Sequence, residues 1–235
     1  MCLIIKKPAG RRIADDFLEN AWQYNHHGWG CFHLEAGATQ GRGLVWERGL
    51  HFDDLIAYNA RLPVDAEVYL HLRRATYGEV NHDMAHPYVV RPGLMLMHNG
   101  SIAHLAPENT ALSDTSELAR MLRDMLDGLS DVQAASLIRS HGFRKLTAPL
   151  IEGSMVVLMD IQGAVRLGRN WHTVQHSEWH EAMVGIELSN SHTWGQQVKD
   201  KLAQLQLEQL AQREQHAQQH PHQPRQAEPD SMVAA

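Results

Sequence analysis

Short apolar segments stand at both ends of the chain, and the clearest amphipathic helical patterns are grouped between them. Hydrophobic periodicity predicts strands over Cys2–Lys6, Trp29–Leu34, Gly43–Trp46, Val68–Leu72, Leu94–Met97, Ser154–Asp160, Ala164–Leu167 and Gly185–Leu188. It predicts helices near residues 13–22 and 52–60 and, most clearly, over Thr115–Leu126 and Val132–Ser140. Because helices and strands do not alternate regularly, we predict an α+β fold and not a parallel α/β sheet.

The bulk composition limits the classes of protein to consider. The 235 residues suffice for one large domain or two small ones, and the formal charge of -6 argues against a surface for nucleic acid. No apolar stretch approaches the roughly 18 residues of a membrane span, and no segment has the features of a secretory signal. With only two cysteines, Cys2 and Cys31, we expect a cytoplasmic protein with reduced thiols and with neither nucleic acid nor membrane as a partner.

The composition changes after Gly195. Eleven glutamines fall between residues 196 and 226. Apolar residues in this segment form a helical stripe, which consists of Val198, Leu202, Leu205 and Leu210. Beyond residue 216 the chain is rich in Pro, His and Gln and has no apolar face, which is typical of disorder. We therefore predict one domain over residues 2–195 and a tail over residues 196–235 that is first helical and then disordered.

Cys2 directly follows the initiator methionine. If Met1 is removed, one residue carries both a thiol and a free α-amine, and an α-amine has a pKa of about 7.7–8.0. Such an amine can accept the proton of the thiol, so that nucleophile and base share one residue. The alternative is a buried cysteine that only happens to lie near the start of a strand. Position alone favours this second interpretation.

Three further segments each have an ordinary and a functional interpretation. Arg73, at a strand end, is either a solvated charge or a bidentate partner for a substrate carboxylate. Asn99-Gly100 is either a tight hairpin turn or a pair of oxyanion donors. Asp114, with Glu117 three residues later, is either part of a helix cap or the partner of a substrate ammonium group. Taken singly, each segment favours its ordinary interpretation.

The spacing of histidines gives little support for a metal site. His82 and His86 are four residues apart, but Pro87 and the surrounding composition indicate a loop and not a helix that would aim both rings at one zinc ion. No segment resembles a glycine loop that binds phosphate. We expect neither a metal nor another cofactor.

Taken in order, these segments resemble a known family. The motifs are Met1-Cys2, His71-x-Arg73-x-Ala75-Thr76-x-Gly78, Ala85-His86-Pro87, His98-Asn99-Gly100-x-Ile102 and Ser113-Asp114-Thr115. Together they are similar to the class II glutamine amidotransferase domain of the N-terminal-nucleophile (Ntn) hydrolases, over roughly residues 2–190. In particular, the chain looks like the short stand-alone members from bacteriophages and bacteria, which carry an Asn/Gly segment comparable to Asn25–Gly30.

The resemblance implies a fold and a reaction. The fold would be a four-layer αββα sandwich of the Ntn-hydrolase type, followed by the helical tail. Cys2 would attack the side-chain amide of L-glutamine, with its own α-amine as the base. The products would be glutamate and ammonia, formed through a γ-glutamyl thioester that water hydrolyses.

The resemblance also implies which residues bind the substrate. Asn99 and Gly100 would stabilise the tetrahedral oxyanion. Arg73 would bind the α-carboxylate of the substrate, and Asp114 would bind its α-ammonium group. Thr76 and Gly100 would line the glutamine pocket.

Four positions depart from the family pattern, and they put the substrate in more doubt than the fold. Leu3 replaces the common Gly, Arg74 the usual Trp, Tyr77 the usual His and Met84 the common Asn. Only the glutamine-rich tail follows the domain, so a separate synthase would receive the ammonia. Two alternatives remain: an Ntn amidohydrolase for another small or γ-glutamyl amide, and a catalytically silent binding or scaffold protein.

Overall fold

The computed structural model describes residues 1–37, 41–168, 170–175 and 181–190, together with residues 200, 204, 207, 208, 210–213 and 215. The chain divides into two compact units, Met1–Gly195 and Gln196–Ala235. The described residues of the second unit are helical, whereas most of the predicted stripe and the predicted disorder after residue 216 lie outside the described residues. Within the described part, no helix is long and apolar enough to cross a bilayer.

The first unit contains ten strands and five α-helices among its described residues. The strands are β1 (Leu3–Lys7), β2 (Trp29–Gly37), β3 (Gly41–Gly49), β4 (Val68–Leu72), β5 (Tyr88–Arg91), β6 (Leu94–Asn99), β7 (Met155–Asp160), β8 (Gly163–Leu167), β9 (His172–Thr173) and β10 (Glu187–Leu188). The helices are α1 (Asp15–Tyr24), α2 (Phe52–Arg61), α3 (Asp114–Met125), α4 (Asp131–Arg139) and α5 (His141–Thr147). Three short 3₁₀ helices span His82–Met84, Ala103–Leu105 and Glu181–Met183.

The strands form two antiparallel sheets. The larger sheet has the order β3–β2–β4–β1–β10–β9, and the smaller one has the order β5–β6–β7–β8. In the larger sheet, Ile5 of β1 lies opposite both Leu70 of β4 and Leu188 of β10. The first strand of the chain is therefore a central strand, and this position explains why it is apolar and almost fully buried.

The two sheets pack face to face. One core cluster joins Ile4, Phe32 and Tyr69 of the larger sheet to methionines and valines of the smaller sheet, which are Met95, Met97, Val157 and Met159. Successive residues of a strand point to opposite faces, so the alternate residues of the smaller sheet point away from this core. They form a second cluster with α3, α4 and α5, which includes Leu94, Leu96, Val156, Leu158, Leu118, Leu122, Ile138 and Phe143.

Helices α1 and α2 pack beside each other and against the larger sheet. The ring centroid of Tyr58 in α2 lies 5.3 Å from that of Trp29 in β2. Trp22 of α1 and Phe52 of α2 are in ring contact at 5.7 Å. The apolar stripe of each helix is buried, which is how a short amphipathic helix gains most of its stability.

The prediction of an α+β fold is confirmed, with two local differences. The predicted strands do not include β5, a short edge strand in which Tyr88 and Val90 are buried and Val89 is exposed. The hairpin interpretation of Asn99-Gly100 fails because β6 pairs with β5 and with β7, which begins only at Met155. A short 3₁₀ helix follows Gly100 instead of a strand.

Gly30 provides a test of this packing. A Cβ atom added at Gly30 would lie 1.6 Å from the carbonyl oxygen of His86, so the backbone would have to move. We expect Gly30→Ala to lower the free energy of unfolding by about 3 kcal/mol or more, measured by urea denaturation. Gly43→Ala in the neighbouring strand is the control, because nothing lies within 4 Å of its added Cβ. Equal stability of the two variants would contradict this close approach.

Candidate active site

The central position of β1 holds Cys2 at one end of the larger sheet. Leu3 pairs with Leu72, the last residue of β4, so that Cys2 lies beside the residues that follow β4. The backbone N–H of Arg74 points at Sγ of Cys2 at 3.3 Å. From the other neighbour of β1, the Nδ2 of Asn190 donates to the carbonyl oxygen of Cys2 at 2.6 Å. Both adjacent strands therefore contribute a contact that fixes Cys2.

A small cavity of about 20 Å³ lies beside Cys2. Five of the six predicted site residues line it, namely Cys2, Arg73, Thr76, Gly100 and Asp114. Its other lining residues are Arg74, Ala75, Tyr77, His86, His98, Ser113 and Thr115. The fold thus brings together four parts of the chain: the start of β1, the segment after β4, the segment after β6 and the start of α3. Asn99, the sixth predicted residue, lies next to the lining residues but is not one of them.

The Cys2 thiol is buried among polar main-chain groups. Its sulfur accepts from the N–H of Arg74, and the thiol donates to the carbonyl oxygen of the same residue at 3.4 Å. Burial raises the pKa of Cys2. The Arg74 N–H, the α-ammonium group of Met1 and the Arg73 guanidinium act in the opposite direction and lower it. The thiol is therefore protonated near neutral pH, and a base must take its proton before it can attack.

Arg73 is 2% exposed and held by the loop that follows it. Its Nη1 donates to the carbonyl oxygen of Glu79 at 2.8 Å, and its Nη2 donates to that of Tyr77 at 3.0 Å. A guanidinium has five N–H groups, so three remain for other partners. Burial lowers the pKa of Arg73 from its ordinary value, because charge is less stable away from water.

Asp114 is the first residue of α3 and is 4% exposed. The cap interpretation of this residue is wrong, because Ser113 caps the helix and its Oγ accepts from the N–H of Ser116 at 3.1 Å. The carboxylate of Asp114 instead accepts from the N–H of Ile102 at 2.7 Å and from the N–H of Thr115 at 2.8 Å. These hydrogen bonds fix the position of the carboxylate at the start of the helix.

Arg73 and Asp114 line the same cavity without neutralising each other. Among the described residues, neither takes part in an ion pair with N···O within 4.0 Å. A buried charge without a counter-charge destabilises a protein unless a ligand compensates it. The cavity therefore suits a small molecule that carries one negative and one positive group.

Asn99 and Gly100 end strand β6 beside this cavity. Asn99 is 4% exposed, and its Nδ2 donates to the Oγ of Ser189 at 2.8 Å. Gly100 has a φ of +146°, and an added Cβ would lie 2.1 Å from the Oγ of Ser154. Only glycine fits here, because both the backbone conformation and the lack of space exclude a side chain.

Two of the four departures from the family pattern touch the cavity. Leu3 is fully buried and is not a lining residue, and Met84 is a core residue in contact with Tyr88. Arg74 lines the cavity with its backbone next to Cys2, while its Nη1 donates to the carbonyl oxygen of Tyr24 at 2.9 Å. Tyr77 also lines the cavity.

Thr76, which the resemblance places in the glutamine pocket, lies on the outer side of the cavity. Its side chain is exposed, and its Oγ1 lies 3.3 Å from the Oγ of Ser101. The contact of Thr76 with Ser101 therefore joins the segment after β4 to the segment after β6. Hydroxyl groups in this position can bind polar atoms of a ligand that enters the cavity.

Three buried histidines form a cluster at the cavity, and two of them, His86 and His98, line it. The rings of His71 and His86 lie 3.9 Å apart, and the Nε2 of His71 contacts the carbonyl oxygen of His98 at 3.1 Å. The Nδ1 of His98 lies 2.8 Å from the Oγ1 of Thr115. Burial lowers the pKa of His71 to about 3 and that of His98 to about 4, and it also lowers the pKa of His86 well below its ordinary value. All three rings are therefore neutral at pH 7.

Among the described residues, no group of three or more His, Cys, Asp or Glu side chains is placed to hold a metal ion. His82, which the spacing pairs with His86, is exposed, whereas His86 is buried between His71 and Tyr88.

Sequence patterns did not indicate two residues that contact the site. Ser189 bonds to Asn99, and Asn190 bonds to Cys2, although both lie near the end of the described part of the first unit. The only sequence signal for them is that they follow a predicted strand. Their role depends on the pairing of β10 with β1, which no local pattern specifies.

The histidine cluster makes stability depend on pH. The folded-state pKa of each ring lies below the unfolded value of about 6.5, so protonation favours unfolding and stability falls as the pH drops below about 6.5. We expect His71→Gln to weaken this decrease by up to about 1.4 kcal/mol for each pH unit, measured by urea unfolding between pH 8 and pH 5. His104→Gln, at an exposed position, should leave the slope unchanged. The same slope in His71→Gln and the unmodified protein would contradict a neutral buried ring.

No protein-family model and no curated protein matches the chain. Among solved structures, the chain resembles glutamine phosphoribosylpyrophosphate amidotransferase from B. subtilis, determined in complex with ADP and GMP, with a TM-score of 0.46 and 15% sequence identity. The match covers 83% of this chain and 43% of that protein. The chain therefore spans less than half the length of this solved structure.

Proposed function

We propose that this protein is a glutamine amidotransferase-like enzyme that hydrolyses the side-chain amide of glutamine with Cys2 as the nucleophile. One observation carries the proposal: the Cys2 thiol shares a cavity with the buried guanidinium of Arg73 and the buried carboxylate of Asp114. Neither charge forms an ion pair within the described part of the chain. An α-amino acid supplies both missing counter-charges and presents its side chain to the thiol.

Substrate entry requires a movement of the loop that follows β4. A cavity of about 20 Å³ has room for about one water molecule, which is less than glutamine needs. The loop is the most open wall of the cavity, because the side chains of Arg74 and Thr76 are exposed. In our proposal this loop moves outward to admit glutamine and then closes over it.

The proposed reaction begins with the removal of Met1, which frees the α-amine of Cys2. This amine takes the proton of the thiol, and the thiolate attacks the amide carbon of glutamine. The oxyanion that forms accepts hydrogen bonds from the side chain of Asn99 and the N–H of Gly100. The Cys2 ammonium then returns the proton to the leaving nitrogen, and the C–N bond breaks to release ammonia and leave a γ-glutamyl thioester. Water, activated by the same amine, hydrolyses the thioester to glutamate.

We propose that the fold is the four-layer αββα sandwich of the Ntn hydrolases. The contact of the two sheets and the helices packed outside them support this arrangement. We propose that residues 2–195 form the catalytic domain of a stand-alone cytoplasmic enzyme and that residues 196–235 form an appended tail. A separate synthase would accept the ammonia.

The two cysteines allow a direct test of the nucleophile. We expect Cys2→Ala to abolish the release of glutamate from glutamine and to prevent labelling by a diazoketone analogue of glutamine, because the attacking atom is absent. Cys31→Ala should retain both, since Cys31 is fully buried in β2 and is not a lining residue of the cavity. Intact mass should show that active protein lacks Met1.

Four outcomes would contradict the proposal. One is active protein that fully retains Met1, and another is Cys2→Ala that still releases glutamate. The third is protein that turns over other small or γ-glutamyl amides but not glutamine, which would assign the site to an amidohydrolase of different specificity. No turnover of any amide and no labelling of Cys2 would instead indicate a silent binding protein.

The role of Asp114 can be tested with a substrate that lacks the α-amine. For the unmodified enzyme, we expect kcat/KM for glutamine to exceed that for glutaramate by about 10²-fold, since a lost buried charge pair costs about 3 kcal/mol. Asp114→Asn should lose most of this preference. Asp131→Asn is the matched control, because Asp131 is also the first residue of a helix but is exposed. A preference that survives in Asp114→Asn would contradict the assigned role, whatever the variant's stability.

A further inference from the structure

Ser189 joins the two sheets beside the nucleophile. Its Oγ accepts from the backbone N–H of Ile4 in the larger sheet at 2.8 Å and lies 2.8 Å from the Nδ2 of Asn99 in the smaller sheet. Its own N–H donates to the carbonyl oxygen of Ile4 at 2.9 Å. Ser189 is 1% exposed, so these contacts replace water as its hydrogen-bond partners. One hydroxyl therefore links the strand of Cys2 to the end of the strand that carries Asn99.

In this orientation of the Asn99 amide, two polar atoms of Ser189 and Asn99 lack a hydrogen-bond partner. The Oδ1 of Asn99 is buried and has no partner among the described residues. Both lone pairs of the Ser189 hydroxyl accept from N–H donors, one from Ile4 and one from Asn99. Neither of these groups can accept the hydroxyl proton. Buried polar groups in folded proteins nearly always have partners. This arrangement is therefore unfavourable, because the Ser189 hydroxyl proton has no acceptor and the Asn99 oxygen has no donor.

Exchanging the oxygen and nitrogen of the Asn99 amide gives a partner to both the Ser189 hydroxyl proton and the amide oxygen, and it leaves the NH₂ group as the one without an acceptor. The two atoms have nearly the same size, so their placement follows from the hydrogen-bond network and not from shape. After the exchange, the Ser189 hydroxyl accepts from Ile4 and donates to Asn99 Oδ1, and both of these oxygens are satisfied. The Asn99 NH₂ group then occupies the buried position of the unpartnered oxygen, with donors that no described acceptor uses. Free donors next to Gly100 are what an oxyanion site requires.

We infer that Ser189 is a positioning residue that holds the Asn99 side chain with its NH₂ group directed to the substrate oxyanion. The inference rests on the proposed function and adds to it a residue from the far end of the domain. Ser189 acts through Asn99 and does not touch the substrate. Because the same hydroxyl binds the backbone of Ile4, it also keeps the oxyanion donor at a fixed distance from the strand that carries Cys2.

If Ser189 positions Asn99 in this way, its loss should weaken the binding of the transition state more than the binding of the substrate. The oxyanion forms only after the thiolate has attacked, so a misplaced Asn99 amide weakens the transition state more than the bound substrate. We expect Ser189→Ala to lower kcat by about tenfold or more while KM changes by less than about twofold. Asn99→Ala should lower kcat by about 10²–10³-fold. The double variant should be no slower than Asn99→Ala alone, because Ser189 acts through Asn99.

Ser140→Ala is the matched control. The Oγ of Ser140 also accepts a backbone N–H, that of Phe143 at 3.1 Å, but this serine lies between α4 and α5 and makes no contact with Asn99. It should lower the melting temperature without lowering kcat. An unchanged kcat in Ser189→Ala would overturn the inference, as would losses that multiply in the double variant, because these would indicate a general structural role.

The orientation of the amide can be measured without turnover. A crystal structure at about 1 Å resolution distinguishes oxygen from nitrogen through the hydrogen positions. The inference requires the Asn99 oxygen on the side of Ser189, and nitrogen at that position would overturn it. If the oxygen is found there but the protein hydrolyses no glutamine, the proposed function fails and the positioning of Asn99 by Ser189 stands.

Discussion

The pairing of β1 with β4 and β10 is the constraint on which the site depends. Because β1 is central, the residues that follow its two neighbours both reach Cys2: Arg74 after β4 contacts the sulfur, and Asn190 after β10 contacts the carbonyl oxygen. Arg73 is placed by the pairing of β4 with its other neighbour, β2, since its N–H donates to the carbonyl oxygen of Gly28 at 2.8 Å. A shift of one residue in β1 would turn Cys2 to the opposite face of the sheet and separate it from these groups.

The cavity has two buried charges of opposite sign. Among the described lining residues, the only ionised side chains that are also buried are Arg73 and Asp114, while the neighbouring His86 and His98 are kept neutral by burial. In a region of low dielectric constant, one fixed cation and one fixed anion orient a zwitterion strongly. Additional charges on the histidines would compete with that orientation. Keeping the cluster neutral therefore leaves Arg73 and Asp114 as the two charges that would orient the substrate of the proposed reaction.

The sequence predicts the elements of this fold better than it predicts their partners. The bounds of Val68–Leu72 are reproduced because four of the five residues of this strand are hydrophobic and all five are buried. Strand β5 escaped prediction because it is short, follows a proline and lies at a sheet edge. Five site residues could be named because they lie in spaced motifs. Ser189 could not, because its contact with Asn99 spans 90 residues and depends on tertiary pairing alone.

The two neighbours of β1 come from distant parts of the chain, and this has a consequence for biosynthesis. Ile4 is hydrogen-bonded to Ser189 across 185 residues, so strand β1 cannot be completed until nearly the whole domain has left the ribosome. Contacts of such long range form late and slowly in folding. A partly synthesised chain would therefore carry the Cys2 thiol without Asn190 or Ser189 beside it. The thiol would gain these neighbours only when the last strand is added, which couples the surroundings of Cys2 to the completion of the domain.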